Sequence, residues 1–318
     1  MGLGYHFPFS TIGPAEHEDL ARILLDSGYE HVWTGENPGQ NGFLPLVQAA
    51  HWAPGIGLGS ACFPVQTRGP GLFADTAAQL SQLAPPGKTV IGIGSSSEFV
   101  VSRTNGRPYG SPLGAVRDMA RFLRQAFTGE PVKMDCDSFG VRYKLGRELD
   151  APPRVMIAAL RPKMIELAAE ESDGVILNNV SPEDIPKVLP HVRKEETNTE
   201  IVARVYLSPV PDSAIFREVA AASIAAYFPV PTYRMHQEWL GHGELYQPVW
   251  DAAAKGGYYA GRDAVTDEMI GRTYINGSPD YCRQRIQDYL DAGVDTVIVS
   301  PVEEAMDPRE IAKLLAPR

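Results

Sequence analysis

The chain has 318 residues, which is enough for one (β/α)8 barrel or for two smaller domains, and 44% of them are hydrophobic, as in a globular protein. Its formal net charge of −10 argues against general nucleic-acid binding, because neutralising phosphates requires clustered Lys and Arg. The sequence has no apolar run near the ~20 residues that a membrane span requires, so we expect no membrane partner.

The cysteines and the N-terminal residues indicate the cellular compartment of the protein. Cys62, Cys136 and Cys282 are odd in number, far apart and in no metal-binding spacing, which favours a reducing cytoplasm. The first residues lack the basic start of a signal peptide. We therefore expect a cytoplasmic protein without a metal site.

Helix-to-strand units recur along the chain. Three times a helix ends in small or acidic residues and a glycine, at Gly28, Gly174 and Gly293, and a short strand follows at once. Glycine suits the left-handed position that closes a helix. Recurrent units of this kind are typical of a parallel α/β fold.

Eight strands are predicted, and they alternate with helices. The predicted strands cover residues 2–7, 29–33, 55–59, 90–93, 154–159, 175–177, 201–207 and 296–300. Helices are predicted at 43–52, 73–83 and 113–127, and the alternating segment 132–145 predicts a small hairpin. This order favours a (β/α)8 TIM barrel over an open sheet, with residues 1–318 forming a single domain.

Residues 209–272 are too long for one crossover helix and are rich in aromatic residues. We interpret them as a helical insertion between strands 7 and 8. Its helices could pack on the barrel with most of the rings in a core, or form a lid over the C-terminal mouth, where barrel active sites lie. His236 and His242 have no neighbours that complete a metal set, so we expect them at solvent or at helix caps.

The stretch after the fourth predicted strand is a candidate ligand site. Gly92 and Gly94 remove side chains where the strand ends, and residues 95–97 are three serines that offer hydroxyl and backbone N–H groups. Such groups suit a phosphate. The stretch lacks both the lysine of a Walker loop and a complete Gly-x-Gly-x-x-Gly, so a plain strand-to-loop turn is the alternative.

Motifs in a fixed order extend over nearly the whole chain. They are Leu-Gly-Ser-Ala-Cys-Phe-Pro-Val at 58–65, Val-Ile-Gly-Ile-Gly-Ser-Ser-Ser at 90–97, Arg-Val-Met-Ile-Ala-Ala-Leu-Arg-Pro at 154–162, Asn-Gly-Ser-Pro-Asp at 276–280 and Ala-Gly-Val-Asp-Thr-Val-Ile-Val-Ser-Pro at 292–301. In this order they resemble the bacterial luciferase-like monooxygenase superfamily, and within it the oxidoreductases that use the deazaflavin coenzyme F420.

The resemblance implies a barrel with the coenzyme across its C-terminal mouth. It implies a non-proline cis peptide bond between Ala61 and Cys62 that supports the ring system; an ordinary trans bulge with a buried cysteine is the alternative. It also implies a phosphate site formed by two stretches, which are Gly94, Ser95, Ser96 and Ser97, and Ala158, Ala159, Leu160 and Arg161.

The second of these stretches starts a helix, whose N-terminus favours anions. The Arg161 guanidinium would add a fork that suits phosphate, and a surface arginine before Pro162 is the alternative. Relatives often have Gly-Gly where Leu160 and Arg161 stand.

The end of the second strand departs from the family pattern. Many F420-dependent alcohol and sugar dehydrogenases have Asp-His there, whereas Asn37 stands at the position of that histidine here. Asparagine cannot act as a general base near neutral pH, but it can hydrogen-bond a carbonyl or hydroxyl. Glu36 and His6 could supply a carboxylate and an imidazole at the mouth, and each could instead be structural.

The resemblance thus implies an oxidoreductase that transfers hydride between C5 of F420 and a small organic substrate, with Asn37 and Glu36 orienting the reacting group. A reduced-FMN monooxygenase of the same superfamily is the first alternative. A barrel that binds a ligand without chemistry is the second. Dimers are usual among the relatives, so we expect a homodimer.

Overall fold

A closed barrel of parallel strands is the centre of the structure. The computed structural model describes residues 2–8, 11–13, 15–36, 39–193 and 199–317, and the barrel strands within them are β1 Gly2–His6, β2 His31–Thr34, β3 Gly57–Ser60, β4 Thr89–Gly94, β5 Arg154–Ala158, β6 Gly174–Asn178, β7 Glu200–Ser208 and β8 Thr296–Pro301. Each strand pairs with the next one in the chain, and β8 pairs with β1, where Gly4 lies opposite Ile298. The predicted (β/α)8 TIM barrel is confirmed.

Helices alternate with these strands. In the described part of the chain they are α1 His17–Asp26, α2 Phe43–Trp52, α3 Pro70–Ser81, α4 Pro112–Ala126, α5 Pro162–Glu171, α6 Ile185–Val192, α7 Ala214–Tyr227, α8 Pro231–Leu240, α9 Gly243–Asp263, α10 Asp267–Thr273, α11 Pro279–Asp291 and α12 Pro308–Leu314. The helices predicted at 43–52, 73–83 and 113–127 are confirmed as α2, α3 and α4. Among the described helices, none is both long enough and apolar enough to cross a membrane.

Two short antiparallel strands, Val132–Asp135 and Gly140–Tyr143, form the predicted hairpin between α4 and β5. A single turn of 3-10 helix, Pro182–Asp184, precedes α6, and a π-helical segment, Phe99–Thr104, follows β4. A strand of two residues, Phe63–Pro64, pairs with the end of β4. These additions lie outside the eight-strand alternation and leave the order of the barrel strands unchanged.

Helix α4 illustrates how the outer helices are held on the barrel. Its N-cap Ser111 accepts a hydrogen bond from the Gly114 backbone N–H at 3.3 Å, and Pro112 fits the first helical position. Apolar residues recur at helical spacing on one face and are buried in the main core: Ala115, Val116, Met119, Ala120, Phe122, Leu123 and Ala126.

The centre of the barrel interior is filled by a few large side chains. Trp33 is buried there, with Val90, Met156, Ile176, Val202 and Ile298 around it. Glycines on the two neighbouring strands make room for the indole. A Cβ on Gly4 would overlap Trp33 Nε1, and a Cβ on Gly59 would lie 2.5 Å from Trp33 Cε3.

Polar side chains close the N-terminal end of the interior. Arg154 forms an ion pair with Glu200, whose carboxylate also accepts a hydrogen bond from Thr296 Oγ1 at 2.9 Å. The buried His31 ring fills the space beside Gly57, and burial lowers the pKa of this imidazole to about 4. The interior is therefore filled at its centre and closed at this end, which leaves the C-terminal mouth for a ligand.

Helices α7 to α10 and a short strand, Tyr274–Asn276, lie between β7 and β8. They share a second core that contains Phe216, Ile224, Phe228, Tyr246, Val249, Trp250, Met269 and Tyr274. Of the nine rings in residues 209–272, four are buried (Phe216, Phe228, Tyr246 and Trp250), two are partly exposed and pack against a core (Tyr233 and Trp239), and three are exposed (Tyr227, Tyr258 and Tyr259). The prediction that most of these rings lie in a core is therefore only partly confirmed.

The packing of Trp33 against Gly59 can be tested by adding one methyl group. We expect Gly59→Ala to lower the free energy of unfolding by about 1–3 kcal/mol, because the new Cβ must displace a rigid, buried indole. Urea unfolding followed by far-UV circular dichroism measures the change. The control is Gly271→Ala at an exposed position of helix α10, where a Cβ meets nothing within 4 Å, and where alanine should be neutral or stabilising. Equal effects of the two substitutions would contradict the packing argument.

Candidate active site

A ring of eight residues, one from each barrel strand or just beyond it, lines the C-terminal mouth. Side chains alternate along a strand, so the residue two positions beyond each interior side chain points the same way. Trp33, Met156 and Val202 are interior, for example, so the residues two positions after them belong to this ring. The ring, which we call the mouth layer, consists of His6, Gly35, Ala61, Gly94, Ala158, Asn178, Arg204 and Ser300.

The mouth layer has two halves of different chemistry. Strands β2 to β5 supply its small half, in which no side chain exceeds a methyl group: Gly35, Ala61, Gly94 and Ala158. Strands β6 to β8 and β1 supply its polar half, which is Asn178, Arg204, Ser300 and His6. A low floor of small residues therefore lies beside a set of hydrogen-bonding side chains.

The peptide bond between Ala61 and Cys62 is cis, as the resemblance implied. The Cys62 side chain turns towards β4, where a Cβ on Gly94 would lie 2.6 Å from its Sγ. Burial raises the pKa of the Cys62 thiol to about 12, so the sulfur stays protonated and uncharged near neutral pH. The bulge thus presents backbone and a neutral thiol to the small half of the mouth.

Glu36 is held by an arginine that sequence reasoning did not link to it. Both carboxylate oxygens pair with Arg68, and Oε1 also accepts a hydrogen bond from Gly42 N at 3.3 Å. The two side chains are only 10% and 16% exposed, and the guanidinium carbon lies 5.0 Å from the centre of the Phe43 ring. The geometry gives Glu36 a structural partner, and its orienting role stays a prediction.

His6 is the imidazole of the polar half. Its Nδ1 lies 2.9 Å from the Phe7 carbonyl oxygen, which can only accept, so Nδ1 carries the proton and Nε2 is the acceptor nitrogen. Burial holds the pKa of His6 well below its usual value, and the positive charge of Arg204 adds to this effect. The ring is therefore neutral at pH 7. A Cβ on Gly35 would lie 3.6 Å from Nε2, which places this nitrogen where the two halves meet.

Asn37, the other predicted orienting residue, lies outside the described residues, so its role also stays a prediction.

The serine stretch predicted to hold phosphate lies directly after the small half. Ser96 adopts a left-handed backbone conformation with φ of 53°, and its carbonyl oxygen accepts a hydrogen bond from the Tyr109 hydroxyl at 3.1 Å. Ser97 Oγ accepts a hydrogen bond from Val100 N at 3.3 Å. Ser95 and its two neighbours are partly exposed, so their polar groups remain accessible from the mouth.

The second predicted phosphate stretch leads into α5. Ala159 N donates to Ile176 O at 3.0 Å and so stays in the sheet, while Arg161 is the N-cap of the helix and supplies no side-chain cap. Pro162 has no N–H and Met164 N donates to Arg161 O at 3.0 Å, so within this described turn it is the Lys163 N–H that an anion could use. Arg161 is partly exposed, and its Nη1 lies 3.4 Å from Met235 Sδ of α8. Leu160, between them, is also partly exposed. The phosphate assignment stays a prediction.

Helix α8 packs on the end of β6. His236 is 1% exposed, and the Asn179 carbonyl oxygen lies 3.2 Å from its Nε2 and 3.1 Å from Gln237 Nε2. The expectation that His236 lies at solvent or at a helix cap is therefore wrong, because the ring is buried between α8 and the end of β6. Burial lowers the pKa of His236 to about 4. On the same helix, Met235 Sδ lies 3.4 Å from Arg161 Nη1, so α8 also contacts the second phosphate stretch.

His242 is paired with a carboxylate and is not part of a metal site. Its Nε2 lies 2.8 Å from Asp184 Oδ1, in a pair that is largely buried. Across the described residues, no group of three or more His, Cys, Asp or Glu side chains could hold a metal ion.

Sequence reasoning missed Arg204. Its Nε donates to Ser300 Oγ at 2.7 Å, and its guanidinium carbon lies 4.9 Å from the centre of the Tyr206 ring. The ring of Tyr206 is in turn stacked on Tyr274 at 5.1 Å. The sequence contains an indication of this role. Arg204 and Tyr206 lie two and four positions after the interior residue Val202, so their side chains point the same way. A charged residue on the inner face of a buried strand requires an explanation.

The pairing of Glu36 with Arg68 makes a testable prediction. We expect Arg68→Met to lower the free energy of unfolding by about 3–5 kcal/mol, because it leaves a buried carboxylate without its cation. Adding Glu36→Gln to this variant should restore part of the loss. Urea unfolding at pH 7 measures both. The control is Arg22→Met, which breaks a surface pair with Glu18 and should cost less than about 1 kcal/mol. Similar losses in Arg68→Met and the control would contradict the structural role.

Comparisons with known proteins cover most of the chain. The sequence profile of the family named luciferase-like monooxygenase matches residues 4–296. The 5,10-methylenetetrahydromethanopterin reductase of Archaeoglobus fulgidus is 29% identical to this chain over 305 residues, which are 90% of this chain and 90% of that protein.

Solved structures share the fold. The coenzyme F420-dependent tetrahydromethanopterin reductase from Methanopyrus kandleri superposes with a TM-score of 0.78 at 20% identity, over 99% of this chain and 97% of that one. An FMN complex of a type II Baeyer–Villiger monooxygenase component from Pseudomonas putida superposes with a TM-score of 0.69 at 16% identity, over 99% of this chain and 97% of that one. With its barrel and nearly its whole length matched by the family profile, the chain belongs to the luciferase-like monooxygenase family of enzymes.

Proposed function

We propose that the protein is an oxidoreductase that uses coenzyme F420 to move hydride between C5 of the deazaflavin and a small organic substrate. The observation that carries the proposal is the division of the mouth layer, with the cis bond between Ala61 and Cys62 in its small half. A putative coenzyme F420-dependent oxidoreductase of Mycobacterium tuberculosis, which is 25% identical over 99% of this chain and 98% of that protein, supports the choice of coenzyme.

The small half fits a flat tricyclic ring. Four consecutive strands contribute nothing larger than a methyl group there, so a planar group can lie close to the backbone of the mouth. Gly94 is required for this shape, because any side chain at its position would meet Cys62 Sγ. When bound, the coenzyme supplies the hydride chemistry at C5. The residues of this chain then hold the ring, anchor its phosphate and position the substrate.

The residues after the small half suit the phosphate of the coenzyme. The partly exposed serines at 95–97 follow β4, and the uncapped N-terminus of α5 follows β5, so both stretches lie at neighbouring strand ends. Backbone N–H groups of the helix and the Arg161 guanidinium would together offset the negative charge.

The polar half would position the substrate. His6 is neutral, so it contributes a polar ring to this half without adding charge. Its neutrality removes the general-acid role of an imidazolium near pH 7. Glu36 is held by Arg68, and Asn37 keeps the orienting role predicted from its position in the sequence.

The choice between F420 and FMN is tested by titrating the purified protein with each. We expect micromolar binding of F420, followed by its fluorescence, and at least tenfold weaker binding of FMN. Gly94→Val and Ala158→Val should each weaken F420 binding at least tenfold, because they add methyl groups to the floor beneath the ring. The control is Gly146→Val at an exposed loop position, where a Cβ meets nothing within 4 Å.

Micromolar FMN binding without F420 binding would identify a monooxygenase instead. F420 binding without any redox change across a broad substrate panel would favour a barrel that binds its ligand without chemistry. Unchanged F420 affinity in both floor variants would contradict the placement of the ring.

A further inference from the structure

Arg154 and Arg204 lie on barrel strands and Arg68 lies beside the mouth, and the surroundings of these three arginines differ. Arg154 at the N-terminal end is paired with Glu200, and Arg68 beside the mouth is paired with Glu36. Arg204, in the mouth layer, has no carboxylate partner among the residues that the structure describes; its contacts there are the Ser300 hydroxyl and the Tyr206 ring. The chain therefore compensates the other two guanidinium charges and leaves this one uncompensated.

An uncompensated charge at this position has a cost. Arg204 is half-buried, and removing a cation from water is unfavourable unless an anion or strong acceptors replace the solvent. Its charge acts on the mouth directly, since it contributes to the lowered pKa of His6. A position that carries such a cost on the inner face of a barrel strand is expected to be retained for a ligand that supplies the missing negative charge.

The guanidinium is also held in a fixed orientation. Its Nε donates to Ser300 Oγ at 2.7 Å, and the Tyr206 ring supports it at 4.9 Å, with Tyr274 stacked behind that ring. The two terminal nitrogens make no hydrogen bond within the described residues and are not fully enclosed, so they can reach a ligand in the mouth. A pre-oriented fork of this kind recognises a carboxylate or phosphate through two parallel hydrogen bonds.

We infer that Arg204 binds an anionic group, a carboxylate or a phosphate, on the substrate that lies over the polar half of the mouth. This inference rests on the proposed function in one respect, since it assigns the small half to the coenzyme and the polar half to the substrate. Arg204 lies on β7, away from the two phosphate stretches that follow β4 and β5. The substrate class is therefore a small organic acid or phosphate ester whose reacting carbon lies near its anionic group.

The test uses the protein without coenzyme, so it does not depend on F420 binding. Isothermal titration compares cinnamate with its neutral analogue cinnamamide, which has the same shape without the charge. We expect wild-type protein to bind cinnamate at least tenfold more tightly than cinnamamide, and Arg204→Met to lose this preference. Arg204→Lys, which keeps the charge but not the fork, should keep part of it. Arg193→Met, at an exposed arginine, is the control and should keep the full preference.

Phenyl phosphate distinguishes the two anions. Tighter binding than cinnamate, lost in Arg204→Met, assigns the fork to a phosphate ester, and weaker binding assigns it to a carboxylate. Thermal unfolding of each variant verifies that it is folded. Equal or undetectable binding of cinnamate and cinnamamide to the wild type, or a preference that persists in Arg204→Met, would overturn the inference.

Titration of the same variants with F420 separates the two proposals. We expect Arg204→Met to bind F420 within about threefold of the wild type. A tenfold loss of F420 affinity would assign Arg204 to the coenzyme and overturn the substrate role. An anion preference in a wild type that binds no F420 would leave the Arg204 site standing and remove the proposed function.

Discussion

The architecture of the mouth depends on how the barrel interior is filled. Side chains alternate along each strand, and a closed barrel has room for few of them at each level. Trp33 takes much of the central level, which is possible because Gly4 and Gly59 on the neighbouring strands have no side chain. The ion pair of Arg154 and Glu200 closes the end below. A ligand can therefore bind only above this plug, at the level of the mouth layer.

The residue that each strand contributes to the mouth layer differs systematically around the ring. Consecutive strands give either very small residues or hydrogen-bonding ones, so the mouth divides into a floor for a planar group and a polar wall. The cis bond at Ala61–Cys62 lies in the floor, and Arg204 stands in the wall. Helix α8 contacts Arg161 beside the same opening through Met235 and buries His236 on the end of β6. The alternation of side chains along each strand thus underlies both proposed sites, that of the coenzyme and that of the substrate.

Much of the fold could be predicted from the sequence, because helix-to-strand units are local patterns. The cis bond followed from a resemblance that residue patterns alone would not supply. The site was harder, since its contacts join distant parts of the chain. Nothing near Glu36 in the sequence indicates that Arg68 holds it, and nothing near His236 indicates that Asn179 covers it. Arg204 could have been predicted from the sequence, because it lies two positions after Val202 on a buried strand and so points the same way. That prediction requires knowing which face of the strand is the inner one.

A crystal structure of the protein with bound F420 would show directly whether the deazaflavin ring lies over the small half of the mouth layer. We expect the deazaflavin ring in van der Waals contact with Ala61 and Gly94, and the phosphate of the coenzyme between the serines at 95–97 and the start of α5. We also expect open space above C5 on the side of Arg204. A ring that lies over the polar half, or a coenzyme bound outside the mouth layer, would contradict it.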